Sequence, residues 1–178
     1  MKIGIVCDCH NTLVYSNDAW IQAFVDFIGE EKRKEIEYCL YSKSKRRNLA
    51  FKYNLDFSCI EDKVTRYSQK NDSLIEMLNE FKNLGFPLFV VSNAPYYRVK
   101  NDLGMVNVAQ IFDEIFSEED GGKKNSQLFD HILNKYKLDF LIFIGNEEFD
   151  DYIEHPKVLS LVLASYLLKR FDVLKKFQ

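Results

Sequence analysis

Four polar side chains of this sequence have the types and spacing that phosphate chemistry needs. Asp8 directly follows the first apolar run of the chain, Ser92 closes a second, Asn146 follows a third, and Lys123 lies at a predicted helix start. A phosphate monoester repels nucleophiles, so its hydrolysis needs a fixed carboxylate, a divalent cation and donors around the phosphoryl oxygens. Taken singly, the residues have simpler interpretations, since Asp and Ser cap turns and helices and a lone Lys is usually a solvated charge.

Buried parallel strands are predicted to position these side chains. The apolar runs at residues 2–7, 86–91 and 138–144 have the pattern of strands covered on both faces, and helical patterns separate them. One of these helices carries apolar residues from 74 to 81 and is capped by Asp72 or Ser73. Alternation of strands and helices predicts a parallel sheet whose carboxyl ends share one edge, where ligands bind. Residues 158–163 form either a further strand or part of one long terminal helix.

Helical patterns fill the segment between the first two long strands. We predict one helix that Ser16 or Asn17 caps and that extends up to Gly29, and further helices within residues 30–42, 49–53 and 60–67. The segment also contains a basic cluster formed by Lys43, Lys45, Arg46, Arg47 and Lys52. Two interpretations of this cluster stay open: a solvated helix end, or a surface that receives an anionic substrate.

The four polar positions resemble the motifs of the haloacid dehalogenase-like (HAD) hydrolases. The family's first motif is an apolar strand followed by Asp-x-Asp-Gly-Thr-Leu, and Asp8, Thr12 and Leu13 match it. Ser92, Lys123 and the pair Asn146 and Asp150 hold the positions of the other three motifs, in family order. The resemblance covers roughly residues 1–151. It implies an α/β fold with a Rossmann-like three-layer parallel sheet in residues 1–14 and 72–178, and a small α-helical cap in residues 15–71.

The resemblance also implies a role for each matching residue. Asp8 would be the nucleophile that becomes an aspartyl-phosphate, and His10 would hold the position of the acid/base catalyst. The positions that would bind the substrate phosphate are Thr12, Ser92, Asn93 and Lys123. The positions that would hold Mg²⁺ are Asp8, His10 through its backbone carbonyl, Asn146 and Asp150.

Four positions depart from the family pattern, and one of them, Lys124 in place of a frequent Pro, matters little. His10 replaces the second Asp, and because imidazole can carry a proton in both directions, a catalytic and a space-filling His10 both stay open. Asn11 replaces Gly, which is a mild change because Asn tolerates left-handed backbone. Asn146 replaces Asp and removes one negative charge from the metal ligands, so weaker metal binding is expected.

The sequence therefore predicts a Mg²⁺-dependent phosphohydrolase that acts through an aspartyl-phosphate on a small phosphorylated metabolite. The alternative is a catalytically impaired HAD-like domain that binds a phosphorylated ligand or a protein partner. A third possibility is a dehalogenase in which Asp8 attacks carbon and no metal is needed.

The composition of the chain limits the classes of partner that are expected for it. With 24 basic and 27 acidic residues among 178, the net charge of −3 gives no strong field for nucleic acid or an anionic membrane. The chain starts on a strand rather than a signal peptide, and no apolar run is long enough to span a membrane, so a cytoplasmic protein is expected. The four cysteines lack zinc-like spacing and are interpreted as reduced packing residues. The sequence does not determine an oligomeric state.

Overall fold

The chain divides into two compact units. The computed structural model describes residues 1–40, 42–146 and 153–162. One unit, the helical unit, comprises Val14–Lys70, and the other, the core unit, comprises Met1–Leu13 and the chain from Asn71 onward. The predicted metal ligand Asp150 and the proposed terminal helix beyond residue 163 lie outside the described residues.

A parallel sheet forms the centre of the core unit. The strands of the structure are β1 (Ile3–Cys7), β2 (Val14–Tyr15), β3 (Gln69–Lys70), β4 (Leu88–Val91), β5 (Glu114–Phe116), β6 (Phe140–Gly145) and β7 (Val158–Val162). Five of them form one sheet in the order β5-β4-β1-β6-β7, and every neighbouring pair is parallel. The predicted α/β, Rossmann-like fold is therefore confirmed.

The helices follow the apolar patterns of the sequence, with shifted ends. They are α1 (Asn17–Ile28), α2 (Arg33–Cys39), α3 (Lys43–Lys52), α4 (Phe57–Tyr67), α5 (Asp72–Asn83), α6 (Tyr96–Met105) and α7 (Ser126–Tyr136). Short 3₁₀ turns occupy Glu30–Lys32, Ala109–Ile111 and Glu118–Asp120. The part of the chain that the structure describes contains no helix with the length and apolarity needed to cross a bilayer.

Residues 158–162 form a strand, which decides between the two predicted alternatives. Val158 pairs with Leu141 and Val162 with Gly145, so β7 extends the sheet at the edge of β6. The loop before β7 adds to the packing through Ile153, whose N–H donates to the Ser160 hydroxyl at 2.9 Å. As a strand, this segment pairs its backbone N–H and C=O groups with those of β6, whereas a helix would pair them within itself.

The helical unit is built on apolar contacts between α1 and α4. The Trp20 ring lies 6.2 Å from the ring of Phe24 and 5.7 Å from that of Phe57, centroid to centroid. Three predicted helix bounds were wrong here. The expected helix over residues 30–42 ends at Cys39, the next begins at Lys43 rather than Leu49, and α4 begins at Phe57 rather than Ile60. Extended backbone at Ser42, with φ −148° and ψ 129°, separates the two helices.

Several side chains of the basic cluster take part in the packing of the helical unit. The Lys45 amine lies 4.1 Å from the Tyr38 ring centroid, and the Arg46 guanidinium lies 4.6 Å from the Trp20 ring centroid. The Lys52 amine forms an ion pair with Glu35. Cation–π and ion-pair contacts of this kind favour the structural interpretation of the cluster.

Asp26 on α1 gives the helical unit a pH-dependent contribution to stability. Its carboxylate accepts hydrogen bonds from the Lys63 amine at 2.7 Å and the Tyr67 hydroxyl at 2.6 Å. The bond from Lys63, followed by those from Tyr67 and Gln22, lowers the pKa of Asp26 from 3.8 to about 2. Because the folded state holds this pKa below the unfolded value, the contribution is present above pH 3.8 and disappears as the pH falls through about 2.

We expect Asp26→Asn to lower the free energy of unfolding by about 1 kcal/mol at neutral pH, because partly exposed pairs are screened by solvent. The difference from the parent should shrink to zero between pH 3.8 and about 2. Urea unfolding followed by fluorescence measures this directly, since the single tryptophan, Trp20, lies in the helical unit. The matched control is Asp62→Asn, at an exposed position of α4. An undiminished difference at pH 2 would contradict the assignment.

Candidate active site at the carboxyl edge of the sheet

Asp8 and Asn146 follow the two strands between which the chain reverses its direction across the sheet. From β1 the chain proceeds to β4 and β5 on one side, and then crosses to β6 and β7 on the other. Open α/β sheets bind ligands at such a switch point, outside the carboxyl ends of the strands. The Asp8 N–H donates to the Ile144 carbonyl of β6 at 2.8 Å, and only 4% of the residue is exposed. The first predicted site residue therefore lies where this topology favours a ligand.

The Thr12 hydroxyl brings the side chains of Asp8 and Asn146 together. Its Oγ1 lies 3.3 Å from Asp8 Oδ2 and 3.1 Å from Asn146 Oδ1, both as donor contacts. A hydroxyl has one proton, so it donates to one of these oxygens at a time and keeps both within reach. Thr12 was predicted to bind the substrate phosphate, and that role stays a prediction. The contact of its hydroxyl with Asp8 and Asn146 is observed.

The loop between Asp8 and Leu13 owes its shape to Asn11 and Asn71. Asn11 has φ 58°, so the left-handed conformation that the family's Gly would provide is adopted by Asn, as expected. The Asn71 amide donates to the Thr12 carbonyl at 3.0 Å, while its side-chain oxygen caps α5 by accepting from the Leu74 N–H at 3.2 Å. The predicted caps of α5, Asp72 and Ser73, were wrong by one or two positions. No sequence signal distinguishes Asn71 as a support of the active-site loop.

Lys123 contacts Asp8 from a turn rather than from a helix. Its amine lies 3.4 Å from Asp8 Oδ1, and both side chains are buried. The prediction that residues 121–123 open a helix was wrong, because α7 begins at Ser126 and the Asn125 side chain caps it. A buried ammonium beside a buried carboxylate favours the ionised form of each group. The arrangement supplies a nucleophilic oxygen and a cationic partner for negative charge in one place.

Asn93 holds the turn that carries Lys123. Its side-chain oxygen accepts a hydrogen bond from the Lys123 backbone N–H at 2.9 Å. Gly122, in the same turn, has φ +62°, and a Cβ atom built there would lie 2.5 Å from Asn93 Oδ1. Asn93 was predicted to bind phosphate. The structure assigns its amide oxygen to positioning Lys123, and phosphate binding by its other groups stays a prediction.

We expect Gly122→Ala to lower catalytic activity by displacing Lys123, and to destabilise the protein by about 1–3 kcal/mol because a left-handed conformation is unfavourable for Ala. Gly85→Ala is the matched control: Gly85 has φ +85°, but a Cβ atom there meets nothing within 4 Å. Both variants carry backbone strain, whereas only the first carries the contact with Asn93. Activity assays and urea unfolding of both variants separate these effects, and equal losses of activity would contradict the role of the Asn93 contact.

Ser92 is buried at the end of β4, the strand that pairs with β1. Its backbone N–H donates to the Phe116 carbonyl at 3.1 Å, and its hydroxyl oxygen accepts from the Ala94 N–H at 3.2 Å. The hydroxyl proton of a serine that accepts in this way can still donate to an anionic oxygen. The predicted phosphate contact of Ser92 stays a prediction.

His10 forms a hydrogen bond with a residue that the sequence did not single out. His10 Nε2 lies 2.7 Å from Asp102 Oδ2, and Arg98 Nε donates to the same oxygen at 2.6 Å. Asp102 is fully buried, whereas 23% of the His10 side chain is exposed. Arg98 and Asp102 are four residues apart on α6, a spacing that is usually found in solvent-exposed ion pairs. Their burial could not be read from the sequence.

The two cysteines that flank Asp8 are buried thiols. Cys7 and Cys9 are free and buried. Burial, followed by the charge of Asp8, raises the pKa of both thiols well above the ordinary value. The thiolate is the reactive form of cysteine, so the packing interpretation of these residues is the one that the site supports.

The electron-pair donors that the structure describes at the site are oxygen atoms, the type that binds a hard cation. Asp8 offers a carboxylate oxygen, Asn146 an amide oxygen and His10 a backbone carbonyl, and oxygen ligands are those that Mg²⁺ prefers. Among residues 1–40, 42–146 and 153–162, no three acidic, histidine or cysteine side chains converge as a metal cluster. The described part of the site therefore combines one carboxylate with neutral oxygens, as the replacement of Asp by Asn146 implies.

Solved structures with this architecture include several hydrolases. A hydrolase from Streptococcus pneumoniae TIGR4 shares 18% identity with a TM-score of 0.69, covering 97% of each chain. A predicted phosphoglycolate phosphatase from Haemophilus somnus 129PT shares 16% identity with a TM-score of 0.63, covering 98% of this chain and 97% of its own. The L-2-haloacid dehalogenase RSc1362 shares 12% identity with a TM-score of 0.67, covering 95% and 98%. At these identities the likeness concerns the fold.

Sequence comparison identifies the family. A search of curated proteins finds no significant match to this chain. The family model described as haloacid dehalogenase-like hydrolase matches residues 5–152, which is most of the chain. The match includes every predicted site position, from Asp8 to Asp150. The protein therefore belongs to the haloacid dehalogenase-like hydrolase family.

Proposed function

We propose that this protein is a Mg²⁺-dependent phosphohydrolase that acts on a small phosphorylated metabolite through an aspartyl-phosphate on Asp8. The observation that carries the proposal is the buried contact between the Lys123 amine and Asp8 Oδ1 at 3.4 Å, at the carboxyl edge of the sheet. A carboxylate nucleophile must meet a dianionic phosphoryl group, and a fixed ammonium at the point of attack offsets the repulsion between them.

In the first step, an Asp8 carboxylate oxygen forms a bond to phosphorus and the bond from phosphorus to the leaving oxygen breaks. Thr12 orients the carboxylate, since its hydroxyl contacts Asp8 Oδ2. The leaving oxygen takes the electron pair of the broken bond and a proton from His10. Lys123 stabilises the negative charge that moves onto the phosphoryl oxygens.

In the second step, water forms a bond to phosphorus and gives a proton to His10, and the bond from phosphorus to Asp8 breaks. The electron pair of that bond returns to the carboxylate, so Asp8 and protonated His10 are restored. An imidazole can both give and accept a proton near neutral pH, so His10 is suited to both transfers.

Mg²⁺ would be held by Asp8, Asn146 and the His10 backbone carbonyl, with Asp150 as the further predicted ligand. When bound, it would neutralise charge on the phosphoryl oxygens. The described donors support a magnesium site because all of them are oxygen atoms, although Asn146 contributes no charge. Weaker metal binding than in a site with Asp at this position is the expected consequence.

The comparisons support a hydrolase without choosing between its possible substrates, because phosphatases and dehalogenases share this fold. A dehalogenase would use Asp8 against carbon and would need no metal. A binding domain without turnover would still hold a phosphorylated ligand near Lys123.

Phosphate release from a broad panel of phosphorylated metabolites, measured with Mg²⁺ and with excess chelator, tests the proposal. Release that depends on Mg²⁺ is expected. Activity on 2-haloacids that persists in chelator would favour the dehalogenase instead. Absence of turnover on the whole panel, together with saturable binding of a phosphorylated ligand, would favour the binding domain.

A structural experiment tests the intermediate directly. Beryllium fluoride with Mg²⁺ mimics an acyl-phosphate, and crystals soaked with both should carry the mimic on Asp8. The Asp8→Asn variant is the control, because its amide cannot form the adduct. A mimic bound elsewhere, or no bound metal, would contradict the proposed mechanism.

A further inference from the structure

We propose that Asp102 is a positioning residue that fixes the ring of His10 with its Nε2–H toward α6, leaving Nδ1 as the nitrogen that exchanges protons during hydrolysis. The inference deepens the proposed function and rests on it. It starts from the 2.7 Å contact between His10 Nε2 and Asp102 Oδ2, which joins the loop after β1 to α6.

The charge state of Asp102 determines which ring nitrogen carries a proton. Arg98 Nε donates to Asp102 Oδ2 at 2.6 Å, and both residues are buried. A buried carboxylate beside a guanidinium stays ionised, and an ionised carboxylate can only accept hydrogen bonds. The nitrogen that faces Asp102 must therefore bear a hydrogen, which places the lone pair of the neutral ring on Nδ1.

The position of Asp102 is fixed by the packing of α6. Val99 and Leu103, which directly follow Arg98 and Asp102 in the chain, are fully buried. The helix begins immediately after Pro95, and the Tyr96 N–H donates to the Glu119 carboxylate at 2.9 Å. A carboxylate held on a rigid element can fix both the orientation and the tautomer of an imidazole.

His10 is the most exposed of these three residues. Its side chain is 23% exposed, whereas those of Asp102 and Arg98 are 0% and 7% exposed. The ring thus connects a buried charged pair to solvent.

Nitrogen NMR of the ¹⁵N-histidine-labelled protein tests the inference, and the chain has only three histidines. The His10 signals are identified by their loss in His10→Gln, and spectra are recorded about two pH units above the ordinary imidazole pKa of about 6.5. We expect the neutral ring with the proton on Nε2. A neutral ring with its proton on Nδ1 would overturn the inference, and this measurement on the parent protein needs no variant of Asp102.

Asp102→Asn tests the consequence for hydrolysis. An amide can donate to Nε2, so the other tautomer of His10 becomes favourable. We therefore expect phosphate release from para-nitrophenyl phosphate to slow by at least about 10-fold. This loss is part of the 10²–10⁴-fold rate increase that acid–base catalysis contributes. In the His10→Gln background the same substitution should have no further effect, because there is no ring to orient. Equal losses in both backgrounds would show that Asp102 acts on the fold alone and would overturn the inference.

Asp130→Asn is the matched control. Asp130 Oδ1 contacts His155 Nε2 at 3.1 Å, and His155 precedes β7, at the edge of the sheet opposite to Asp8. This variant should leave the His10 signals and hydrolysis unchanged. Failure of the parent to form an aspartyl-phosphate would overturn the proposed function, whereas the tautomer of His10 is measured independently of turnover.

Discussion

Asp8→Asn is expected to lower the rate of phosphate release by at least about 1,000-fold, because an amide oxygen cannot form the acyl-phosphate and loss of a nucleophile removes most of the catalytic rate. The substitution preserves the size of the side chain at a residue that is only 4% exposed. It also leaves the Lys123 amine beside a neutral group, so some loss of stability is expected. Single-turnover phosphate release and urea unfolding measure the two effects separately.

Asp139→Asn is a suitable control for this substitution. Asp139 is exposed and precedes β6, and its carboxylate accepts from the Lys2 N–H at 2.7 Å at the opposite edge of the same sheet. We expect near-parental phosphate release from the control. A folded Asp8→Asn protein that retains more than a tenth of the parental rate would exclude Asp8 as the nucleophile.

Lys123→Met is expected to slow phosphate release by about 10²–10³-fold, the loss typical when one preorganised donor to a developing charge is removed. The methionine side chain keeps much of the length and apolar character of the lysine stem, while the charge 3.4 Å from Asp8 Oδ1 is lost. The affinity for inorganic phosphate should fall together with the rate. This affinity measures how strongly the site attracts a phosphoryl group when no bond is formed or broken.

The adjacent lysine offers a matched comparison. Lys124 is exposed and carries the same charge, so Lys124→Met changes the net charge by the same amount without touching Asp8. If the two variants lose activity equally, a long-range effect of net charge explains the loss and the contact with Asp8 does not. Rescue of the Lys123 variant by Lys123→Arg is not expected, because a planar guanidinium does not replace a compact ammonium in a buried position.

The strands and their polar ends were predictable because they depend on local patterns. The apolar runs that form β1, β4 and β6 can be recognised in the sequence as buried strands. Parallel strands bring their carboxyl ends to one edge of the sheet. Asp8 and Asn146 could therefore be placed together before the structure was known, with Lys123 added by the family motif. The left-handed Asn11 is equally local, since its conformation follows from the turn it occupies.

Helix ends and turns were less predictable, because capping depends on which polar side chain first reaches a free backbone N–H. Asn71 rather than Asp72 or Ser73 caps α5, and its amide also supports the active-site loop. Lys123 lies in a turn shaped by Gly122 and Asn93, which come from separate parts of the chain. Contacts between such distant residues leave no periodic signal in the sequence.

The sequence by itself determined the parallel sheet, the nucleophile candidate and the order of the motifs, because each depends on residues close together in the chain. Only the tertiary structure decided that His10 faces a buried carboxylate. Arg98 and Asp102 have the spacing of an ordinary surface ion pair, and their burial against the loop after β1 depends on how α6 packs. The environment of an ionisable side chain is set by every element around it, and no local pattern encodes that environment.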